Sequence, residues 1–364
     1  MRDLKSVAKK TVFTIKPYVP GKPIDEVKRE FGLKEVIKLA SNENPYSPSP
    51  KVVKAINNAV LQINRYPDGY CFSLRETLSR HLNVKPTQLV FGNGSDELIV
   101  MAARLFVNEG DEVINAKPSF LIYDIASKIS GAKIISIPLK NFHYDLDGMK
   151  KAITDKTRII FLGNPDNPAG TYLKQKDVER FLEGIPEDIL IFIDEAYYEY
   201  VDAKDYVDSI KLLKTHKNLI VTRTFSKMYG LAGLRIGYGV ANPELCDIFD
   251  RIREPFNINS IAQAAAVACL KDKIYYRNVA KKINTQRKFL YDRFTRMKID
   301  FQPSSTNFIL VNVKRDSSDV SKKLMENGII VRDMSSWGMG QYIRVTVGTK
   351  EENRRFIEAL EKVL

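Results

Sequence analysis

From about residue 88 onward the chain alternates short apolar runs with amphipathic stretches, the pattern of strands and helices in a parallel α/β architecture. Gln-Leu-Val-Phe at 88–91 leads through a Gly/Asn turn into a segment whose apolar positions Leu98, Ala102, Leu105 and Phe106 keep helical spacing. Glu-Val-Ile-Asn-Ala at 112–116, Ile-Ile-Ser-Ile at 134–137, Ile-Ile-Phe-Leu at 159–162, Leu-Ile-Phe-Ile at 190–193, Leu-Ile-Val-Thr at 219–222 and Ile-Gly-Tyr-Gly-Val at 236–240 supply further strands. A helical stretch around Ser260 to Leu290 leads out to a second region. That region is expected to hold a strand over Ser305–Val313, a helix near Asp319–Asn327 and a strand over Tyr342–Val347. The Pro/Ser/Asn-rich piece from Ser41 to Pro50 separates an N-terminal arm from the main domain.

Composition narrows the function classes without naming one. A chain of 364 residues can bury one large core and a smaller one. No apolar run approaches the roughly 20 residues of a membrane span, and Met-Arg-Asp-Leu-Lys-Ser-Val-Ala-Lys-Lys has no apolar core of a signal peptide, so cytoplasmic residence is expected. Cys71, Cys246 and Cys269 are scattered, as are His81, His143 and His216, so neither a disulfide framework nor a metal site is expected. The net charge of +13 comes from dispersed lysines with no reading motif, which argues against nucleic acid as a partner. It is compatible with attraction of a phosphorylated substrate.

Candidate chemistry concentrates in three segments. The run Thr-Phe-Ser-Lys-Met-Tyr-Gly-Leu-Ala-Gly-Leu-Arg-Ile-Gly-Tyr at 224–238 places Lys227 on a small-residue loop after an apolar segment. Ser226 and Arg235 beside it are residue types that grip a phosphate, by a hydroxyl and by a charged fork. Taken alone, Lys227 reads as one solvated lysine among many. Upstream, Ile-Leu-Ile-Phe-Ile-Asp-Glu-Ala-Tyr at 189–197 is a buried strand ending in Asp194, where open α/β sheets place their ligand crevice. A carboxylate there can pair with a protonated pyridine nitrogen, as pyridoxal phosphate requires of its binding site. Third, Arg-Ile-Ile-Phe-Leu-Gly at 158–163 runs into Asn-Pro-Asp-Asn-Pro-Ala-Gly, which is either an ordinary turn or a carrier for the amide of Asn167.

Together the Asn-Pro-x-Asn-Pro-x-Gly, Asp-Glu-Ala-Tyr and Ser-Lys-x-x-x-x-x-Gly-x-Arg elements resemble those of fold type I pyridoxal-phosphate-dependent aminotransferases, over essentially the whole chain. Lys-Leu-Ala-Ser-Asn-Glu-Asn-Pro at 38–45, Arg-Tyr-Pro-Asp-Gly at 65–69 and Tyr-Ile-Arg-Val-Thr-Val-Gly-Thr at 342–349 narrow the resemblance to the branch acting on histidinol phosphate. The resemblance implies a large domain with a mostly parallel mixed sheet flanked by helices, at 46–265. It also implies a smaller discontinuous α+β domain made of an arm at 1–45 and a C-terminal part at 266–364.

For the cofactor, pyridoxal 5'-phosphate, the resemblance assigns the phosphate to Gly94, Ser95, Asp96, Thr224, Ser226 and Arg235. Without it, the turn before Leu98 could be only an N-capped helix start with Ser95 as the cap. Phe120 would stack on the ring where relatives often carry tyrosine. Asn167 and Tyr197 would donate to the ring oxygen, Asp194 would hold the ring nitrogen, and Lys227 would carry the cofactor and move the proton. Tyr66 would reach the phosphate of a neighbouring subunit, making a homodimer with shared sites. Substrate choice would rest on Tyr18, Asn44, Asn167, Arg332 and Arg344, where Arg344 could otherwise form only a surface ion pair. The implied reaction takes histidinol phosphate and 2-oxoglutarate to imidazole acetol phosphate and glutamate. Met334 to Gly340, with the only tryptophan, Trp337, departs from the usual family wording and keeps an aromatic amino acid in view as substrate. A threonine-phosphate decarboxylase is a further alternative. A non-catalytic domain fused to a DNA-binding regulator is disfavoured, because no helix-turn-helix segment appears.

Overall fold

The computed structural model describes residues 3–17 and 21–364, which form two β-sheets with helices packed around them. In chain order the strands are β1 (Ile37–Leu39), β2 (Leu89–Gly92), β3 (Glu112–Lys117), β4 (Lys133–Pro138), β5 (Thr157–Gly163) and β6 (Leu190–Asp194). They continue with β7 (Leu219–Thr224), β8 (Gly237–Ala241), β9 (Asp300–Gln302), β10 (Phe308–Asn312), β11 (Ile329–Asp333) and β12 (Tyr342–Thr346).

The seven-stranded sheet has the order β2-β8-β7-β6-β5-β3-β4. Only β8 runs antiparallel to its neighbours, β2 and β7. Its central strands read as unbroken apolar runs because each face is covered. Ile160, Leu162, Ile191, Ile193, Leu219 and Val221 enter one core, and the alternate residues Ile159, Phe161, Leu190, Phe192 and Ile220 enter the other. The second core is closed by Leu98, Ile99 and Ala102 of the helix Ser95–Phe106, together with Tyr123 and Ala126 of the helix Leu121–Ser130.

The five-stranded sheet has the order β1-β11-β12-β10-β9, with β1 parallel to β11 and the other pairs antiparallel. Ile37, Lys38 and Leu39 pair with Ile329, Ile330 and Val331, so the N-terminal segment completes a sheet otherwise built from the C-terminal part. The closing helix Lys350–Val363 starts with a reciprocal cap. Glu352 N–H donates to Thr349 Oγ1 at 3.3 Å, and Thr349 N–H donates to Glu352 Oε2 at 2.7 Å.

Several expectations need correction. The stretch 260–290 is two helices, Ser260–Lys271 and Lys273–Arg296, separated at Asp272, which leaves helical geometry at φ −105°, ψ 52°. The strand expected over 305–313 is confined to Phe308–Asn312, because Ser304 and Thr306 turn the chain through side-chain hydrogen bonds to each other and to nearby amides. The strands β1, β9 and β11 and the C-terminal helix were not anticipated.

Candidate active site

The carboxyl ends of neighbouring strands converge on one edge of the large sheet. Gly163 at the end of β5 is level with Asp194 at the end of β6, and Thr224 at the end of β7 is level with Gly237. Above this edge lies a cavity of ≈ 250 Å³. Its large-sheet wall carries Ser95, Asp96, Phe120, Asn167, Asp194, Tyr197, Thr224, Ser226, Lys227 and Arg235. Across from them stand Arg332 of β11 and Arg344 of β12. Segments far apart in sequence meet here because parallel strands deliver their following loops to the same side.

Lys227 is fixed by the loop that carries it. Thr224 Oγ1 accepts from Ser226 N–H at 3.1 Å and donates to Ser226 Oγ at 3.0 Å. Gly230 N–H donates to the Lys227 carbonyl at 3.2 Å, and Asn44 Nδ2 donates to the Met228 carbonyl at 2.7 Å. The Lys227 amine donates to the Ser41 carbonyl at 3.4 Å and lies 5.7 Å from the centre of the Tyr197 ring. Burial first, then the charge of Arg344, pulls its pKa down to about 8. An amine so placed yields its proton far more easily than a solvated lysine.

Asp194 is buried and accepts from Tyr123 O–H at 2.9 Å and from Ala196 N–H at 3.2 Å. Burial pushes its carboxyl up to about 6. Tyr197 O–H accepts from Asn42 Nδ2 at 2.9 Å, which leaves its own proton to donate elsewhere. Burial raises its phenol to about 12, so it stays protonated near neutrality. Arg344 is buried and donates to Asn167 Oδ1 and, at 3.4 Å, to the Ala40 carbonyl.

The residues present fit a phosphate-bearing pyridine cofactor. The helix Ser95–Phe106 begins without a side-chain cap, so its first N–H groups and the positive end of its dipole face the cavity. Gly94, at φ 82°, occupies the capping position that Ser95 could have taken. A Cβ on Gly94 would overlap the Arg235 guanidinium, so glycine is what lets Arg235 reach this edge. Arg235 lies 3.5 Å from Ser226 Oγ and 3.4 Å from Asp96 Oδ2. Asp194, a buried acid whose donors among the described residues are neutral, suits a protonated ring nitrogen at the opposite end.

Other expected residues stand elsewhere. Asn44 does not line the cavity; both ends of its amide are engaged, by the Met228 carbonyl and by Tyr46 N–H at 3.0 Å, so its place is in holding the lysine loop. Tyr66 is 83% exposed, away from the cavity, and stacks on Phe256 at 4.7 Å. Tyr18 lies outside the described residues. Sequence reasoning passed over Asn42, Ser41 and Tyr123. The last stands in the first turn of the helix that Phe120 precedes, and the two rings meet edge to face at 5.6 Å.

The model for aminotransferase classes I and II matches residues 34–360. The chain is 47% identical over 357 residues to the histidinol-phosphate aminotransferase of Caldicellulosiruptor saccharolyticus, covering 98% of this chain and 99% of that protein. The Moorella thermoacetica histidinol-phosphate aminotransferase is 46% identical over 358 residues, 98% of this chain and 92% of that protein. The crystal structure of histidinol-phosphate aminotransferase from Sinorhizobium meliloti in complex with pyridoxal-5'-phosphate superposes with a TM-score of 0.91. It is 30% identical, with 98% of this chain and 97% of that one covered. With strand order, cavity and relatives in agreement, the chain belongs to the class I and II aminotransferase family, among its histidinol-phosphate aminotransferases.

Proposed function

We propose that the protein transfers the amine of histidinol phosphate to 2-oxoglutarate, giving imidazole acetol phosphate and glutamate, with pyridoxal phosphate as cofactor. The observation that carries the substrate is the register of the small sheet: Arg332 and Arg344 are directly paired across β11 and β12, and both line the cavity. Two guanidinium groups directly opposite each other concentrate positive charge on this side of the cavity, which favours an anion there. A phosphate ester supplies two negative charges to such a pair.

When bound, pyridoxal phosphate supplies an electron sink for charge developing on the carbon that bears the substrate's amine. Ser95, Thr224, Ser226 and Arg235 would hold its phosphate, Phe120 would pack against its ring, and Asp194 would keep its ring nitrogen protonated. Asn167 and Tyr197 would donate at its ring oxygen. Lys227 would hold it through its side-chain amine, and that amine is placed to take the proton from the substrate's amine-bearing carbon. A lysine whose pKa is near 8 is suited to both accept and return that proton close to neutral pH. Arg344, buried beside Asn167, fixes the anionic end of the substrate so that this carbon lies within reach of Lys227.

Trp337 does not reach into the cavity; it borders a neighbouring one behind Phe120, which weakens the aromatic-substrate reading. The test is glutamate formation from 2-oxoglutarate with histidinol phosphate, histidinol or phenylalanine as amine donor. Histidinol phosphate should lead by a wide margin. Equal or faster turnover of phenylalanine would move the assignment to the aromatic enzymes, and carbon dioxide released from threonine phosphate would move it to the decarboxylases.

The working unit is a cytoplasmic homodimer, with domains at 1–45 plus 266–364 and at 46–265. No described helix is long and apolar enough to cross a membrane. Leu61, Ile63, Tyr66, Tyr70, Phe72 and Phe256 are exposed in the single chain, and a second copy covering them would bring Tyr66 to its partner's phosphate cup. Full activity in a dilute, demonstrably monomeric sample would remove the shared site.

A further inference from the structure

Trp337 stands at a junction that the reaction as described leaves unused. It closes the short 3₁₀ turn Ser335–Trp337 that follows β11. Its indole N–H donates at 3.1 Å to the carbonyl of Ser119, the residue before Phe120, so it ties the small sheet's turn to the ring-covering segment of the large domain. Its ring faces Arg332, whose guanidinium carbon lies 4.9 Å from the ring centre. A guanidinium stacked on an indole is restrained in the plane and direction of its donors, which matters where a planar fork must meet an oxyanion. The carbonyl of Ser119 sets the plane of the indole, and the indole sets the plane of Arg332.

We propose that Trp337 is a positioning residue for the anionic end of the substrate: anchored on Ser119, it presents the Arg332 guanidinium to that group. The inference rests on the reading above in which Arg332 binds the phosphate ester of the substrate. Trp337 touches neither substrate nor cofactor and acts through Arg332. The departure of this segment from the usual family wording is then a different way of aiming the same arginine, not a change of substrate.

The experiment uses the cofactor-loaded enzyme and four forms: wild type, Trp337→Phe, Trp337→Leu and Arg332→Gln. Trp337→Leu removes both face and N–H, and should raise the KM for histidinol phosphate roughly five- to tenfold with kcat held within about twofold, the size of one lost cation–π contact. Trp337→Phe keeps an aromatic face and should recover most of that loss. Because Trp337 is the only tryptophan, its emission reports this junction alone. Saturating histidinol phosphate should shift the emission in the wild type and not in Arg332→Gln. If Arg332→Gln leaves KM unchanged, the phosphate assignment of Arg332 fails and the proposal falls with it. Should Arg332→Gln raise KM while Trp337→Leu lowers only the melting temperature, Trp337 is a structural brace and the proposal alone is overturned.

Discussion

Asp194 and Glu195 are adjacent, both buried at the end of β6, and they solve burial in opposite ways. Glu195 meets a buried cation: its Oε2 lies 2.8 Å from Arg223 Nη2 and 2.9 Å from Arg223 Nε, and the guanidinium stacks on Tyr198 at 3.4 Å. Asp194 turns to the cavity, where Tyr123 O–H and Ala196 N–H are its hydrogen-bond donors. One acid is complete within the fold. The other has no cationic hydrogen-bond partner among the described residues, and burial raises its pKa. Neighbouring residues of one strand end face opposite sides, so a single acidic pair divides between architecture and chemistry.

The contrast is broken most severely on the cavity side. Lys227→Ala should lower turnover by about 10³-fold or more, since positioned proton transfer alone contributes about 10²–10⁴; near-normal rates in the half-reaction with histidinol phosphate would refute the role given to Lys227. Asp194→Asn should cost on the order of 10²–10³ in kcat through lost charge stabilisation. In cofactor-free protein the same change should leave the unfolding free energy unchanged or higher, because it removes a buried carboxyl whose partners among the described residues carry no charge. Glu195→Gln should show the converse pattern. Leaving Arg223 buried without its partner costs about 3–5 kcal/mol in denaturant unfolding, with little loss of activity in whatever remains folded. If both substitutions shift stability and activity together, the division of roles is wrong.

A smaller effect sharpens the same comparison through pH. Asp166 is buried, accepts from Ala169 N–H at 2.8 Å, and has no hydrogen-bond partner for Oδ1 among the described residues; burial pushes it up to about 7. Its folded pKa lies above the unfolded value of about 4, so between these the folded state binds more protons. The stability it contributes is therefore full below about pH 4 and is lost as pH rises through 7. Asp194 adds a loss of the same sign up to about 6 in the cofactor-free protein. Asp166→Asn should leave the melting temperature unchanged at pH 4 and raise it by a few degrees at pH 8. An equal shift at both pH values would show that the effect is not titration.

Most of the large sheet was legible because its strands are buried on both faces and carry unmistakable apolar runs, as at Ile159–Leu162 and Leu190–Ile193. The residues around Lys227 and Asp194 were legible because each sits at the end of such a run. The small sheet was less so. Its first strand is three residues long and exists only by pairing with Ile329–Val331, a partner that no local pattern reveals. The same holds for Asn42, whose contact with Tyr197 spans 155 positions. The resemblance implies a substrate role for Asn44, but the backbone of the lysine loop claims its amide.

The pairing of β1 with β11 also sets a timetable. During synthesis β1 emerges well before its partner strand, which lies nearly 300 residues further along the chain. Until then Ala40 to Glu43, which form part of the cavity wall, have no sheet to hang from. Contacts of such long separation form late, because the loop must close before they repay its entropy. The newborn chain can therefore complete its large sheet, with Lys227 and Asp194 in place, while its pocket still stands open on one side.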